Sequence, residues 1–207
     1  MANTHEYNII ARLFRWIRRF RQRCGYGVHS PLAFQFITDV IYNSGVYYAY
    51  DTLRQPLAIS ASRLDEYDPL SGLIAKDLRL LFRLANYQEA QSMAIQGSIP
   101  TVAAYLFAAR PHADVVGKEN MVDADFVYTD FILCPPSLSK ERTTSLPPLK
   151  EGGMHVLRGI HSSKDAEALW EQCCAHPSAT LSFDLWRFGI LLNRPKIIKQ
   201  SYIVNYF

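Results

Sequence analysis

Residues 91–109 read QSMAIQGSIPTVAAYLFAA, and this stretch predicts a strand, a tight turn and a helix in succession. The apolar run at 92–95 is typical of a buried strand, and 96–99 supply the turn. Pro100 stands at the first position of the helix, where its fixed φ suits the backbone. Folds of the α/β type place a nucleotide-like cofactor beside such a turn and the helix N-terminus. The stretch therefore predicts the shape of a cofactor-binding unit, although Gly97 is the single glycine of its turn.

Composition predicts a folded protein of one domain with an appendage. The chain has 207 residues, of which 49% are hydrophobic, enough for a buried core. Its net charge of +3 is too small to indicate nucleic-acid binding by the whole chain. Cys24, Cys134, Cys173 and Cys174 lack zinc-ligand spacing, so we expect reduced, buried thiols. No apolar run approaches the roughly 20 residues of a membrane span, and arginines interrupt any secretory pattern, so we expect a cytoplasmic protein.

The N-terminal segment 1–24 is predicted to be an amphipathic, basic helix. Apolar residues at helical spacing form one face and arginines the other: Ile9, Ile10, Leu13, Phe14, Trp16, Ile17 and Phe20 against Arg12, Arg15, Arg18, Arg19 and Arg23. Such a helix suits an anionic membrane surface or an acidic partner. It also suits docking on its own domain or on a twin subunit, the interpretation we favour. Residues 25–207 then form one α/β domain, with 25–87 as a helical layer.

Further elements follow from the apolar periodicity of the chain. Helices are predicted over 31–44, 51–61, 70–87 and 163–175, with a polar loop at 62–69. Strands are predicted over 113–116, 125–128, 154–157, 179–184, 188–193 and 202–206, the fourth and fifth of these forming an antiparallel hairpin. Only 117–123 separate the first two of these strands, which is too short for a helical crossover. Either those two strands are not neighbours in the sheet, or a βαβ segment is absent.

Two motifs near the ends of the chain carry a resemblance to a known family. YGVHSPL at 26–32 resembles the Phe-Gly-Ile-His-Ser-Pro-Phe signature of small bacterial class I S-adenosylmethionine-dependent methyltransferases. The His-Pro step at 176–177 and FDLWRFGI at 183–190 are similar to that family's ending. The resemblance implies a Rossmann-like sandwich with a mostly parallel central sheet and an antiparallel C-terminal strand pair. It also implies S-adenosylmethionine in the cleft.

Departures from that family fall at the positions that bind the cofactor. The motif acid-x-Gly-x-x-x-Gly appears here with Ala94, Gln96 and Pro100 at its three positions. A left-handed backbone costs a non-glycine residue about 1–2 kcal/mol, and the Gln96 side chain would fill the space of the methionine end. The ribose-binding acid is replaced by Val116-Gly117, so Glu119 would serve only after a register slip. The third strand and its helices are missing, which truncates the sheet at one edge.

The residues that remain define the candidate site. Gln96, Gly97, Ser98, Glu119 and Asp130 hold positions from which the family contacts its cofactor. The family's Asp-Asp-Ile-His step appears here as RGIH at 158–161, so both carboxylates for a divalent metal are gone and no metal site is expected.

Two histidines are candidate catalytic bases. His161 closes the RGIH step, and His29 lies in the glycine turn before the second helix. The alternative for each is a structural histidine bonded to a nearby group, and we favour that alternative.

Three functions stay open at this point. The leading hypothesis is a methyltransferase-like protein without cofactor that serves as a binding or assembly module. The second is an active small-molecule methyltransferase or O-methyltransferase with an atypical cofactor cleft, because methyl transfer needs mainly alignment of its reactants. The third is an adaptor that uses the arginine helix on anionic membranes or an acidic partner. A homo-oligomer is a further possibility, and nucleic acid is not an expected partner.

Overall fold

The computed structural model describes residues 17, 27–54, 67–68, 72–97, 100–136 and 148–206. Its helices are α1 (Pro31–Gln35), α2 (Ala49–Arg54), α3 (Ala75–Gln88), α4 (Pro100–Ala109) and α5 (Lys164–Ala175), with a π-helix at Phe36–Ile41 and a 3₁₀ helix at Lys118–Asp123. Its strands are β1 (Tyr67–Asp68), β2 (Leu73–Ile74), β3 (Ser92–Gln96), β4 (Asp114–Val115), β5 (Phe126–Asp130), β6 (Met154–Arg158), β7 (Leu181–Asp184), β8 (Phe188–Leu192) and β9 (Gln200–Ile203). Apart from Ile17, the predicted N-terminal helix lies outside the described residues, as does Ser98.

The main sheet has seven strands in the order β4-β3-β5-β6-β8-β7-β9. The first four are parallel, β8 runs antiparallel to both β6 and β7, and β9 is parallel to β7. β1 and β2 form a separate antiparallel pair. The expected α/β class is confirmed, together with the mostly parallel sheet and the hairpin, which is β7 and β8.

The short connection before β5 is explained by the sheet order. β3 lies between β4 and β5, so the two strands are not neighbours and no crossover helix joins them. The linking residues form the 3₁₀ helix Lys118–Asp123 instead. The first of the two explanations that the sequence left open is therefore confirmed.

Helices cover both faces of the sheet. Met154 and Val156 of β6 join the cluster formed with α1, the π-helix, α3 and α4, whereas Leu157 joins the cluster formed with α5. This alternation follows from the two-residue period of a strand. Gly189 of β8 lets α5 approach, because a Cβ there would lie 2.5 Å from Trp170 Cζ3.

Several predicted element bounds were wrong, each because tertiary contacts override the local pattern. The helix expected over 70–87 begins at Ala75, since the preceding β2 pairs with β1 in what was predicted to be a loop. The second predicted helix changes to a π-helix after Gln35 and ends at Ile41. The last strand lies at Gln200–Ile203, after which the chain turns and Tyr206 Oη donates to Lys76 O at 3.1 Å.

Candidate functional site

The candidate site lies where the strand order reverses, between the carboxyl ends of β3 and β5. From β3 the chain continues outward to β4, then returns to β5 on the other side. Open α/β sheets bind their ligands outside the carboxyl ends of the strands at such a point. Register places Gln96 beside Thr129, and Asp130 beside Arg158. The fold thus brings together Gln96, Gly97 and Asp130 of the predicted set.

The Gly97 turn packs directly on the end of β5. Gly97 has φ +74°, a left-handed backbone that glycine adopts without penalty. A Cβ built on it would lie 3.1 Å from both Asp130 Cβ and Cys134 Sγ. The protein's own chain therefore occupies this side of the turn, and no ligand group fits between Gly97 and Asp130.

Asp130 is fully buried, and both of its carboxylate oxygens already accept hydrogen bonds. Oδ2 accepts from Arg158 Nη1 at 2.9 Å and from Tyr128 Oη at 3.2 Å. Oδ1 accepts from the backbone N–H groups of Ile132 at 2.9 Å and Leu133 at 3.2 Å. Burial, followed by the negative charge of Asp130, raises the pKa of Tyr128 well above its ordinary value. Asp130 is thus built into the interior of the protein.

Arg158 supplies the countercharge for this carboxylate. Its side chain is 5% exposed, and Nη2 donates to Gly72 O at 3.0 Å, which joins the end of β6 to the start of β2. A buried ion pair of this kind is costly to break, because either partner alone is an uncompensated charge. Sequence reasoning noted Arg158 as a missing carboxylate but did not predict the pair. The signal was available, because an arginine at the end of a buried strand needs a partner.

The end of β6 is also covered. Gly159 has φ +77°, and a Cβ there would lie 2.7 Å from Ile132 Cγ1. Ile132 follows β5, so the segment after Asp130 folds over the carboxyl end of the neighbouring strand. We call residues 131–134 the covering segment, because Ile132 lies against the carboxyl end of β6.

Glu119 lies apart from these residues. It is exposed within the 3₁₀ helix beyond β4 and folds back on Gly117. In the part of the chain that the structure describes, Glu119 makes no hydrogen bond to the Gly97 turn or to Asp130. Its role as a ribose-binding acid stays a prediction.

His161 is held between two acidic side chains. Its Nδ1 lies 2.9 Å from Glu167 Oε1, and its Nε2 lies 3.0 Å from Asp184 Oδ2. Its ring stacks on Trp186 with centroids 4.5 Å apart, and Trp186 N donates to Asp184 Oδ1 at 2.7 Å. His161 therefore ties the start of α5 to the turn between β7 and β8. Its candidate role as a catalytic base stays a prediction.

His29 lies at the opposite edge of the sheet. It is exposed and lines an open groove of about 620 Å³ together with Ser30, Lys196 and Tyr202, beside β9. Four strands lie between β9 and β3, so His29 and the other described residues of the resemblance motif, 27–32, lie far from the Gly97 turn. Ser30 is the helix cap expected there, with its Oγ accepting from Ala33 N.

Of the three cysteines that the structure describes, one differs from expectation, and Cys24 lies outside the described residues. Cys173 is buried and Cys174 half-buried, and burial raises the pKa of the Cys174 thiol to about 11. Cys134, however, is exposed beside the Gly97 turn, because it follows Asp130 in the covering segment, and the prediction of burial was wrong there. Among the described residues, no group of three or more His, Cys, Asp or Glu side chains is placed to hold a metal ion.

Comparison with known proteins adds no relative. No protein-family model matches the sequence, and no curated protein matches it significantly. Within the described ranges, no helix has the length and hydropathy needed to cross a bilayer.

Proposed function

We propose that this chain is a methyltransferase-like protein that has lost S-adenosylmethionine binding and serves as a non-catalytic binding or assembly module. One observation carries the proposal. At the point where the strand order reverses, Asp130 forms an ion pair with Arg158, and Gly97 packs against Asp130. A cofactor would need open space at these strand ends. The Asp130–Arg158 ion pair and the covering segment fill that space.

The strand order supports descent from a doubly wound fold. If β3, β4, β5 and β6 are taken as strands one, two, four and five, their spatial order is 2-1-4-5. The usual doubly wound order is 3-2-1-4-5-6, so this part agrees except that the described residues contain no third strand outside β4. That agreement fits the resemblance of the two end motifs, and it fits the predicted loss of the segment beside the adenine.

The residues at the site do not fit the cofactor. An adenosyl group needs a close backbone approach at the first turn and a carboxylate for its ribose. Gln96 carries a half-buried side chain at that turn, and the last residue of β4 is Val115, which is 64% exposed, where the family has its ribose-binding acid. Asp130 has no oxygen to spare. The residues of this cleft therefore do not support methyl transfer.

The proposal is tested by titrating the full chain with S-adenosylmethionine and with S-adenosylhomocysteine in a calorimeter. We expect no specific heat, because Gln96 occupies the first turn and both oxygens of Asp130 already accept hydrogen bonds. The melting temperature should likewise be unchanged by either ligand, since a ligand that binds only the folded state raises it. Micromolar affinity for either compound would overturn the proposal and favour an active methyltransferase with an atypical cleft.

A further inference from the structure

A cavity of about 260 Å³ lies on the helical face of the molecule, away from the strand ends described above. Its walls are the end of the π-helix, the loop at 43–45, one side of α3 and Tyr206 near the C-terminus. Lys76, Arg79 and Arg83 line it, and the described residues of its wall include no Asp or Glu. We call this the basic cavity.

The π-helix fixes the most buried of these cations. Tyr42 N donates to Ile37 O at 2.9 Å, an i to i−5 bond that widens the last turn. The carbonyls of Val40 and Ile41 then accept from Arg83, at 2.7 Å from Nε and 3.1 Å from Nη2. Arg83 is 6% exposed, so these bonds hold a permanent charge at the base of the cavity. Single π-turns of this kind recur at functional sites.

The other two cations rest on aromatic rings. Lys76, Arg79 and Arg83 are spaced at i, i+3 and i+7, so they share one face of α3. The guanidinium carbon of Arg79 lies 5.0 Å from the Tyr50 ring centroid, and Lys76 Nζ lies 4.3 Å from that of Tyr206. Among the described residues, Arg79 makes no ion pair with a carboxylate. Aromatic faces position a cation but leave its formal charge in place.

The described acidic groups nearest the cavity along the chain are not paired with Arg79 or Arg83. Asp77 follows Lys76 in the chain but is fully buried, and its Oδ1 accepts from Arg187 Nη2 at 2.7 Å. Asp39 is exposed on the π-helix, where its Oδ1 accepts from Thr38 Oγ1. Burial raises the pKa of both Tyr50 and Tyr206, so these phenols add no negative charge. Arg79 and Arg83 therefore keep their positive charges beside a concave space, and Lys76 lies on the same face of α3.

We propose that the basic cavity binds a small organic phosphate. A phosphate ester carries about two negative charges near neutral pH, and guanidinium groups match its oxygens in a bidentate fork. The volume lies just below the range of about 300–1,000 Å³ typical of ligand pockets, which suits a small ester better than a nucleotide. The inference is independent of the proposed loss of cofactor binding, because α3 and the π-helix form the cavity.

The test uses the full chain and three probes: phenyl phosphate, inorganic phosphate and benzoate. Amide shifts are followed by NMR, and affinities are measured by calorimetry. We expect phenyl phosphate to bind with Kd below about 1 mM, to shift the amides of 42–45, Lys76 and Arg79, and to bind more weakly as salt is added. Benzoate should bind at least about tenfold more weakly, because it carries half the charge.

Arg79→Gln should weaken phenyl phosphate binding by roughly tenfold or more, and Lys76→Gln should weaken it in the same direction. Lys118→Gln removes an exposed charge elsewhere and should change nothing. Circular dichroism verifies that each variant is folded, and Arg79 is half-exposed, so its replacement leaves the core intact. The proposal is overturned if millimolar phenyl phosphate does not bind, or if benzoate binds as tightly as phenyl phosphate. It is also overturned if folded Arg79→Gln keeps the wild-type affinity, or if the amide shifts are confined to other parts of the chain.

Discussion

Single buried charges decide what the strand ends of this protein can do. Asp130 stands where a family resemblance expects a functional acid, yet its four hydrogen bonds are all internal. Arg158 gives Asp130 a structural role, because a guanidinium beside a buried carboxylate holds both groups in place. His155 is another buried titratable group, on β6 with Arg158. It is 2% exposed, and among the described residues its Nδ1 has no hydrogen-bond partner.

Replacing one partner of the buried pair should destabilise the protein strongly. Asp130→Asn removes the countercharge of Arg158, and we expect the free energy of unfolding to fall by about 3 kcal/mol. Urea denaturation measures the loss, with the exposed Asp123→Asn as a control that should stay near zero. The double variant Asp130→Asn/Arg158→Met should lose less than the sum of the two single changes. A near-normal stability of Asp130→Asn would mean that the carboxylate is kept for a ligand.

His155 should make stability depend on pH below neutrality. Burial lowers its pKa from 6.5 to about 4, so the folded state stays unprotonated while the unfolded state takes up a proton. Stability is then lost as pH falls from about 6.5 towards 4, by roughly 3 kcal/mol over that window. We expect His155→Leu to show a loss between pH 7 and pH 4 that is smaller by this amount in urea denaturation. The exposed His112→Gln should follow the wild type, and identical slopes for all three proteins would contradict the prediction.

At the scale of elements, the packing of α5 on the sheet depends on its close approach to β8. α5 begins with Ser163 as its cap, whose Oγ accepts from Ala166 N at 3.1 Å. It buries Ala166, Leu169, Trp170 and Cys173, the face that the sequence predicts. Trp170 lies against Gly189, which leaves no room for a side chain on β8 at that point. One glycine therefore fixes the distance between helix and sheet.

Gly189→Ala should separate α5 from the sheet. Its Cβ would lie 2.5 Å from Trp170 Cζ3, so either the ring or the helix must shift. Overpacking of this kind costs about 1–3 kcal/mol, and we expect a loss of that size in thermal or urea unfolding. Near-UV circular dichroism should change as well, because the environment of Trp170 changes. In the background of Trp170→Leu the same substitution should cost much less, and an equal cost in both backgrounds would place the strain elsewhere.

At the scale of the whole molecule, the sheet separates two places with different chemistry. The reversal point between β3 and β5 is filled by Asp130, Arg158 and Ile132, whereas the basic cavity is open on the outer side of α3. The residues after β9 connect the sheet to the helical layer. Tyr206 Oη donates to Lys76 O on α3, and Asn205 O accepts from Tyr42 Oη. The role of the N-terminal arginine segment, on a membrane surface or docked on protein, stays a prediction.

The sequence by itself determined the elements whose local pattern agrees with their final surroundings. β3 and α4, the cap of α1, the apolar face of α5 and the hairpin of β7 and β8 were all predicted, because periodicity and capping act within a few residues. It also identified 96–97 and Asp130 as the centre of the candidate site. The short link before β5 was recognised as inconsistent with a crossover.

Only the tertiary structure decided the order of the strands, the pairing of Asp130 with Arg158 and the assembly of the basic cavity. Each depends on residues far apart in the chain: Arg83 bonds to carbonyls 42 and 43 positions away, and Asp130 pairs with a residue 28 positions on. A residue type sets which bonds a side chain is able to make. Which of those bonds forms depends on the packing of strands and helices, which brings distant charges and carbonyls into contact and removes the water that would otherwise solvate them.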